Sequence, residues 1–324
     1  MPSSDSTTRQ PILITGAAGF VGTHLLDRLA DGDRPLVGWF RPGAEPAHPH
    51  PSATWVSVEM HDRHAVDRAL QGLDPYAVYH LAGAAHVGNS WQHTRETYEG
   101  NVLATLHLLD GLRRLGRRPR VLLSGSATIY AHHDGAITDD APIRPQSPYA
   151  TSKLAQELLG RHAWTDDGIP AIATRSFNHI GPGQHPSFVA SGVARQIASI
   201  EAGQQPPVLT VGNLEPKRDL MDVRDTVRAY VALVERGTPG QTYNVCSGRA
   251  IAIGDLVEHL LSRSRVPVRI EQDPALFRPN DTPILVGVHA RLTADTGWWP
   301  EIPMEQTLND LLDYWRAQVQ QTPL

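Results

Sequence analysis

The stretch that decides the fold is ILITGAAGFVG, residues 12–22. Its first four residues form a short apolar run typical of a buried strand, and residues 20–29 then place apolar side chains at helical spacing. Glycine in the intervening turn permits positive φ and lets the backbone approach a pyrophosphate at the helix N-terminus. A dinucleotide site is therefore predicted here, and its residues are Gly16, Gly19, Phe20, Val21 and Gly22.

Strand-like and helix-like segments continue to alternate through the first half of the chain. The predicted strands are 36–40, 54–58, 77–81, 120–124 and 169–174, and the long predicted helices are 95–115 and 148–164. This alternation predicts an α/β fold, a Rossmann-type doubly wound parallel sheet.

The alternation weakens after Arg175, where Gly- and Pro-rich segments separate short strand-like runs. This change indicates a smaller, interleaved C-terminal substrate domain. We predict a dinucleotide-binding domain over 11–177, joined by about 220–248. The substrate domain would be discontinuous, over 178–219 and 249–324.

Composition bounds the function further. The 324 residues include 29 Lys+Arg and 34 Asp+Glu, a net charge of −5, without a basic run, so nucleic-acid binding is not expected. No apolar run reaches the roughly 18 residues of a membrane span. The single cysteine, Cys246, leaves no disulfide and no cysteine cluster for zinc, and the histidines lie in loop-like segments, so no metal site is predicted. A cytoplasmic enzyme fits these features.

A candidate acid/base set follows the fifth predicted strand. Tyr149 and Lys153 are four residues apart, after Ser147 as a helix cap and Pro148 as a first helical residue, so they share one helix face. A cation near the phenol would lower its pKa from about 10. Ser126, at the end of a parallel strand, would point into the cofactor crevice and bind the reacting oxygen. The alternative is an incidental pair on a surface helix.

The end of the second strand bears on cofactor choice. No acidic residue stands there, and Arg41 follows instead, which favours the 2′-phosphate of NADP, although NAD stays possible. Asp62, after the third strand, would bond the adenine amino group or simply cap a helix.

Taken together, these residues resemble the extended short-chain dehydrogenase/reductase family, whose members act on nucleotide sugars. The likeness runs from Pro11 to Trp315 and rests on the glycine turn, HLAG at 80–83, Asn101, Ser126, Tyr149, Lys153 and RSFN at 175–178. The GDP-mannose branch is the most similar, through SFNHIGPGQ at 176–184, VGNLEPKRD at 211–219 and FRPND at 277–281.

The resemblance implies roles for further positions. Leu81, Ala82, Gly83 and Asn101 would line the cofactor. Asn178 would contact the sugar or its phosphates, while Arg218 and Arg278 would hold the diphosphate, because a guanidinium matches phosphate oxygens. Alternatively, these arginines pair with their neighbours Asp219 and Asp281.

One departure separates the branches. Dehydratases of this family carry a glutamate two residues after the catalytic Ser or Thr, and here Thr128 stands at that place, as a predicted substrate contact. A hydroxyl is no base at neutral pH, so elimination is disfavoured. The predicted function is NADP-dependent reduction of the C4 ketone of a GDP-4-keto-6-deoxy-hexose. The alternatives are a nucleotide-sugar 4-epimerase and a non-catalytic dinucleotide sensor.

Assembly is the last expectation. In this family, the two long helices, 95–115 and 148–164, would form an intersubunit four-helix bundle and hence a homodimer. The same apolar faces could instead be buried within one chain.

Overall fold

The computed structural model describes residues 9–46, 49–133, 135–277 and 283–321. Its residues form two compact units. The first comprises the described parts of Met1–Tyr130, Ile143–Arg175 and Tyr230–Tyr243, and the second comprises Ala131–Pro142, Ser176–Ala229 and Asn244–Leu324, again as far as described. The predicted domain limits remain a prediction.

A seven-stranded sheet has the order β10-β6-β5-β4-β1-β2-β3. Its strands are β1 (Ile12–Thr15), β2 (Leu36–Phe40), β3 (Ala53–Ser57), β4 (Ala77–His80), β5 (Arg120–Leu123), β6 (Ala171–Ser176) and β10 (Thr242–Val245). Every pairing among β1 to β6 is parallel. The doubly wound Rossmann-type fold predicted from the alternating pattern is therefore confirmed.

The remaining strands are short. They are β7 (Asn178–Ile180), β8 (Val208–Val211), β9 (Lys217–Asp222), β11 (Ala250–Ala252), β12 (Arg269–Gln272) and β13 (Ile284–Leu285). In the second unit, β9 pairs with β7, β11 and β13, and β8 pairs with β12.

The α-helices are α1 (Phe20–Leu29), α2 (Arg63–Leu70), α3 (Thr94–Tyr98), α4 (Ala104–Arg114), α5 (Pro148–Thr165), α6 (Val189–Glu201), α7 (Val223–Arg236), α8 (Ile253–Ser262), α9 (Ala290–Thr296) and α10 (Met304–Gln321). Helix α5 begins as predicted, since the Ser147 side chain accepts a hydrogen bond from Ala150 N at 3.1 Å and Pro148 follows it. The predicted helix 95–115 differs, because a π-helical turn, Glu99–Leu103, separates α3 from α4.

Each unit has its own apolar core. In the first, Leu13, Val78 and Val121 on adjacent strands are buried together with Leu108 and Leu112, which lie one turn apart on α4. In the second, the core is formed by side chains from α6, α8 and α10 with β8 and β9. Burial of one such leucine contributes about 1.5–3 kcal/mol, so each core stabilises the unit in which it lies.

Strand register aligns the loops that carry the candidate site. Thr15, the last residue of β1, lies opposite both Trp39 and His80, and His80 lies opposite Leu123. The carboxyl ends of these parallel strands therefore share one edge of the sheet, which is where open α/β sheets bind ligands.

Candidate active site

The turn after β1 requires glycine for two different reasons. Gly16 has φ +68°, and a Cβ there would lie 2.7 Å from Ala82 N. Gly22 is an ordinary helical residue, but its Cβ would overlap the backbone of Gly16 and Ala17. The loops after β1 and β4 can approach each other because Gly16 has no side chain, and α1 can pack on its own turn because Gly22 has none.

The N-terminus of α1 is suited to an anion. Its cap, Gly19, provides no side-chain hydrogen bond, and its first turn, which begins with Phe20 and Val21, contains no acidic residue. The first N–H groups of a helix lack intrahelical acceptors and carry partial positive charge. A phosphate group at this point would supply both the acceptors and the negative charge.

A buried hydrogen-bonded chain connects β1, β4 and the π-helical turn. His80 Nδ1 is 2.7 Å from Thr15 Oγ1, and Nε2 is 2.9 Å from Thr105 Oγ1. Thr105 donates its own proton to Asn101 O, so it must accept from Nε2–H, and Nδ1 accepts from Thr15. Burial first, and then the charge of Lys153, lowers the pKa of His80 to about 3, so the imidazole is neutral.

Asn101 and Gly83 form one wall of the same edge. Asn101 Nδ2 donates to Ser152 Oγ at 2.9 Å, while its Oδ1 is buried without a hydrogen-bond partner among the described residues. A Cβ on Gly83 would overlap that oxygen. The glycine turn, the uncapped helix and this unsatisfied acceptor fit a dinucleotide, which would supply phosphate oxygens and hydroxyl donors.

Arg41 and Asp62 differ in what the structure shows. Arg41 follows β2 directly and is exposed, so its backbone lies at the same end of the sheet as the glycine turn. Asp62 caps α2, where its Oδ1 accepts from His64 N at 2.8 Å. Capping accounts for Asp62 by itself, so the adenine contact stays a prediction.

Ser126, Tyr149 and Lys153 lie together in the first unit. Ser126 follows β5 and hydrogen-bonds the Tyr149 side chain. Lys153 Nζ is 6.0 Å from the centre of the Tyr149 ring. All three side chains are buried, with 6–8% of their surface exposed. This is the hydroxyl, phenol and ammonium arrangement expected for proton transfer to or from a carbonyl oxygen.

The predicted lowering of the Tyr149 pKa is wrong for this structure. Burial raises the pKa of Tyr149 to about 12, and the hydrogen bond from Ser126 offsets only part of that rise. Lys153 does not offset the burial: its ammonium lies 6.0 Å from the centre of the ring and donates to acceptors other than the phenol. Tyr149 is therefore protonated at neutral pH and is set up to give a proton.

The ammonium of Lys153 has two protein acceptors. Nζ donates to Ser124 O at 2.8 Å and to Gln156 Oε1 at 3.0 Å. Burial lowers the pKa of Lys153 to about 8. One of its three N–H groups remains for a further partner.

A buried ion pair supports this arrangement from behind. Arg175 on β6 donates from Nε and Nη2 to both oxygens of Glu157 on α5, at 2.9 and 2.7 Å, and from Nη1 to Tyr130 Oη at 2.9 Å. Arg175 and Glu157 are each only 4% exposed. The pair therefore joins the helix that carries Tyr149 to the sheet and to the segment after Ser126.

Thr128 contacts the catalytic set directly. Its Oγ1 is 3.0 Å from Ser126 Oγ, and its N–H donates to the same oxygen at 3.3 Å. Neither flanking residue supplies a carboxylate, because these residues are Ala127 and Ile129. The chain thus has a hydroxyl where elimination would need a base.

Two of the predicted substrate residues belong to the second unit. Asn178 begins β7 and is exposed. Arg218 is on β9 and donates to Lys217 O at 2.8 Å. Its neighbour Asp219 instead accepts from Ser247, Gly248 and Gly287, so the suggested pairing with Arg218 is not how that carboxylate is used. Arg278 and Asp281 lie outside the described residues.

Sequence reasoning missed several residues at this edge. His80 was noted only as part of a motif, and its partners Thr15 and Thr105 are far away in sequence. Gln156 has a local signal, since it follows Lys153 by three residues and therefore shares its helix face. The π-helical turn has no signal in hydrophobic periodicity.

The fold and this site define the class: the chain is an enzyme of the short-chain dehydrogenase/reductase type. In comparison with known proteins, a family model described as GDP-mannose 4,6 dehydratase matches residues 13–311, so the chain belongs to that family. The resemblance found in the sequence is confirmed.

Individual known proteins are similar to this chain over most of their length. The GDP-6-deoxy-D-mannose reductase of Pseudomonas aeruginosa is 36% identical over 320 residues, covering 96% of this chain and 99% of that protein. The solved structure of RMD from Pseudomonas aeruginosa complexed with NADPH has a TM-score of 0.85 at 35% identity, covering 96% of this chain and 100% of that one. A UDP-glucose 4-epimerase of Azospirillum brasilense is 30% identical over 319 residues, covering 92% and 90%.

Two further features of the described residues concern membranes and metals. No helix in that part of the chain is both long and apolar enough to cross a membrane. Nor do three His, Cys, Asp or Glu side chains in the same ranges converge as metal ligands.

Proposed function

We propose that this enzyme reduces the C4 ketone of a GDP-4-keto-6-deoxy-hexose with NADPH. One observation carries the proposal: Thr128, whose Oγ1 lies 3.0 Å from Ser126 Oγ, stands beside the catalytic hydroxyl at the place where elimination would need a carboxylate. Reduction needs a proton donor at this point and no second base. The likeness to a GDP-6-deoxy-D-mannose reductase over nearly the whole chain supports the same direction of reaction.

The chain's own residues supply the acid half of this reaction. A bound nicotinamide cofactor would supply the hydride to C4. Tyr149 donates its phenolic proton to the ketone oxygen as that oxygen gains negative charge. Ser126 donates a hydrogen bond that orients the oxygen and then stabilises the phenolate. Lys153 keeps its ammonium on Ser124 O and Gln156 Oε1, and its remaining N–H is available to the cofactor's ribose.

Several groups would hold the cofactor. The N-terminus of α1, with Gly16, Gly19, Phe20, Val21 and Gly22, would receive the pyrophosphate, and Leu81, Ala82, Gly83 and Asn101 would line the rest. Arg41 would bind a 2′-phosphate, because it follows β2 and that strand lacks the terminal acidic residue that would bind the ribose and repel the phosphate. The structural relative complexed with NADPH supports NADP over NAD.

Substrate recognition is assigned to four positions. Thr128 would contact the sugar, Asn178 the sugar or its phosphates, and Arg218 and Arg278 the diphosphate. Arginine suits this task because its planar fork matches two phosphate oxygens. A guanine base is favoured by the GDP-linked relative.

A nucleotide-sugar 4-epimerase is the second candidate. It would use the same three side chains, first removing hydride from C4 and then returning it to the other face. The UDP-glucose 4-epimerase relative favours this reading. The reductase relative is the more similar of the two, at 36% identity against 30%, so reduction stays the first candidate.

Cofactor balance distinguishes the two reactions. With a GDP-4-keto-6-deoxy-hexose, we expect one NADPH to be consumed for each ketone converted to an alcohol, and slower turnover with NADH. Absorbance at the nicotinamide band and mass spectrometry of the sugar product provide the measurement. Interconversion of nucleotide sugars without net loss of NADPH would instead establish the epimerase.

A homodimer is proposed for the assembly. Leu103 in the π-helical turn, Leu106 on α4 and Leu158 on α5 expose 39%, 42% and 42% of their surface in a single chain. Light scattering should give twice the mass of one chain, and Leu106→Glu should give a monomer, because a charge in an apolar contact is costly. Leu276→Glu, at an exposed leucine of the second unit, is the control. A wild-type protein with the mass of one chain would contradict the dimer.

A cytoplasmic location likewise remains a proposal.

A further inference from the structure

The ammonium of Lys153 is held by a side chain that no motif assigns to the site. Gln156 is one turn further along α5 and 1% exposed, and its Oε1 lies 3.0 Å from Nζ. The second acceptor, Ser124 O, is a backbone atom at the end of β5. Lys153 is thus fixed between its own helix and the sheet.

The contact with Lys153 fixes which way the Gln156 amide faces, and this orientation is energetically unfavourable. An ammonium only donates, so the amide oxygen and not the nitrogen must face it. Nε2 is then buried without a hydrogen-bond partner among the described residues. A buried donor left unpaired is destabilising, and an apolar side chain of similar size would avoid the penalty. Gln156 therefore lowers the free energy of unfolding, and its contact with the Lys153 ammonium is the role that the structure gives it.

We infer that Gln156 is a positioning residue, whose amide oxygen holds the Lys153 ammonium in place and in its charged form. This rests on the proposed function only insofar as Lys153 serves the reaction. A neutral acceptor stabilises the ammonium without forming an ion pair, so the lysine stays charged yet keeps one donor for a ligand. A carboxylate at the same position would hold the ammonium more strongly, and an apolar side chain would not hold it.

Other titratable groups near Lys153 do not supply this stabilisation. His80 on β4 is neutral, and Tyr149 on α5 keeps its proton at neutral pH. Tyr230 on α7 contacts Ser124 Oγ at 3.3 Å. The nearby carboxylate of Glu157 is bound at both oxygens by Arg175. Burial lowers the pKa of Lys153 to about 8, so loss of one acceptor would move its titration into the neutral range.

The chain offers a clean measurement, because its only two lysines are Lys153 and Lys217. In protein labelled with ¹³C-lysine, NMR titration of the ligand-free chain follows both ammonium groups, and the exposed Lys217 is an internal reference. We expect Gln156→Met to lower the Lys153 pKa by about one unit and Gln156→Glu to raise it by a similar amount. Lys217 should not move in either variant. Gln92→Met, the same change at an exposed glutamine of the first unit, is the matched control.

Opposite shifts in the two variants identify a positioning role, because a merely structural role would move both in the same direction or neither. An unchanged Lys153 pKa in Gln156→Met would overturn the inference. The reductase assay is read separately: the alkaline limb of kcat/KM should move with the Lys153 pKa. If the pKa values shift as expected but no variant, nor the wild type, reduces the ketone, the proposed function fails and the role of Gln156 stands.

Discussion

Tyr149→Phe is expected to lower kcat for ketone reduction by about 10²–10⁴-fold, the range contributed by a positioned general acid. The substitution removes only the phenolic oxygen and keeps the ring, which is buried. Affinity for the cofactor should change little because Lys153 and the glycine turn are intact. Steady-state kinetics with NADPH, together with the fluorescence titration of NADPH binding, separates the two effects.

Tyr314→Phe removes a phenolic oxygen elsewhere, on α10 of the second unit, and should leave kcat unchanged. A Tyr149→Phe protein that retained full reductase activity would exclude Tyr149 as the proton donor. If it also retained full biological activity while wild-type protein showed no turnover, the non-catalytic sensor would be the better description.

Breaking the buried pair between Arg175 and Glu157 is expected to cost about 3–5 kcal/mol of unfolding free energy. Arg175→Met would leave the Glu157 carboxylate 4% exposed, with Arg161, at 3.7 Å, as its remaining ion pair among the described residues, and Glu157→Met would leave the equally buried Arg175 guanidinium without this counter-ion. Burial disfavours the charge on Arg175, but the Glu157 carboxylate outweighs it and raises the pKa of the guanidinium. Urea unfolding followed by circular dichroism gives the comparison.

The double variant Arg175→Met/Glu157→Met tests the cause. Replacing both charges with apolar side chains removes the unpaired group, so it should be more stable than either single variant. Additive losses in the double variant would show that packing, and not an uncompensated charge, accounts for the effect. Because the pair also holds Tyr130 and α5, we expect the single variants to lose activity as well as stability.

The sheet could be predicted from sequence because parallel strands buried on both faces appear as short apolar runs. Predicted limits differ by one residue at β3, β4 and β5 and by two residues at β6. The helix that begins at Pro148 was predicted from its cap alone. The π-helical turn at Glu99–Leu103 was not predicted, because such a turn changes the hydrogen-bond pattern of the helix and has no characteristic residue composition.

The candidate site was predicted as a set of residue types but not in its electrostatics. Spacing placed Tyr149 and Lys153 on one face, yet the direction of the Tyr149 pKa depends on burial and on which atoms bind the ammonium. The burial of Tyr149 and the acceptors of the Lys153 ammonium depend on β5, β4 and α7. These elements contact α5 or its neighbours only after folding. Glu157 and Arg175 illustrate the same limit, being 18 residues apart on different elements.

The π-helical turn has a consequence for how one helix serves two neighbours. One additional residue per turn rotates everything after it, so the segment that precedes the turn and the segment that follows it need not present the same stripe. Asn101 faces inward with its carbonyl bound by Thr105, while Leu103 and Leu106 face outward. A single inserted residue thereby uncouples the ligand-facing side from the outward apolar side.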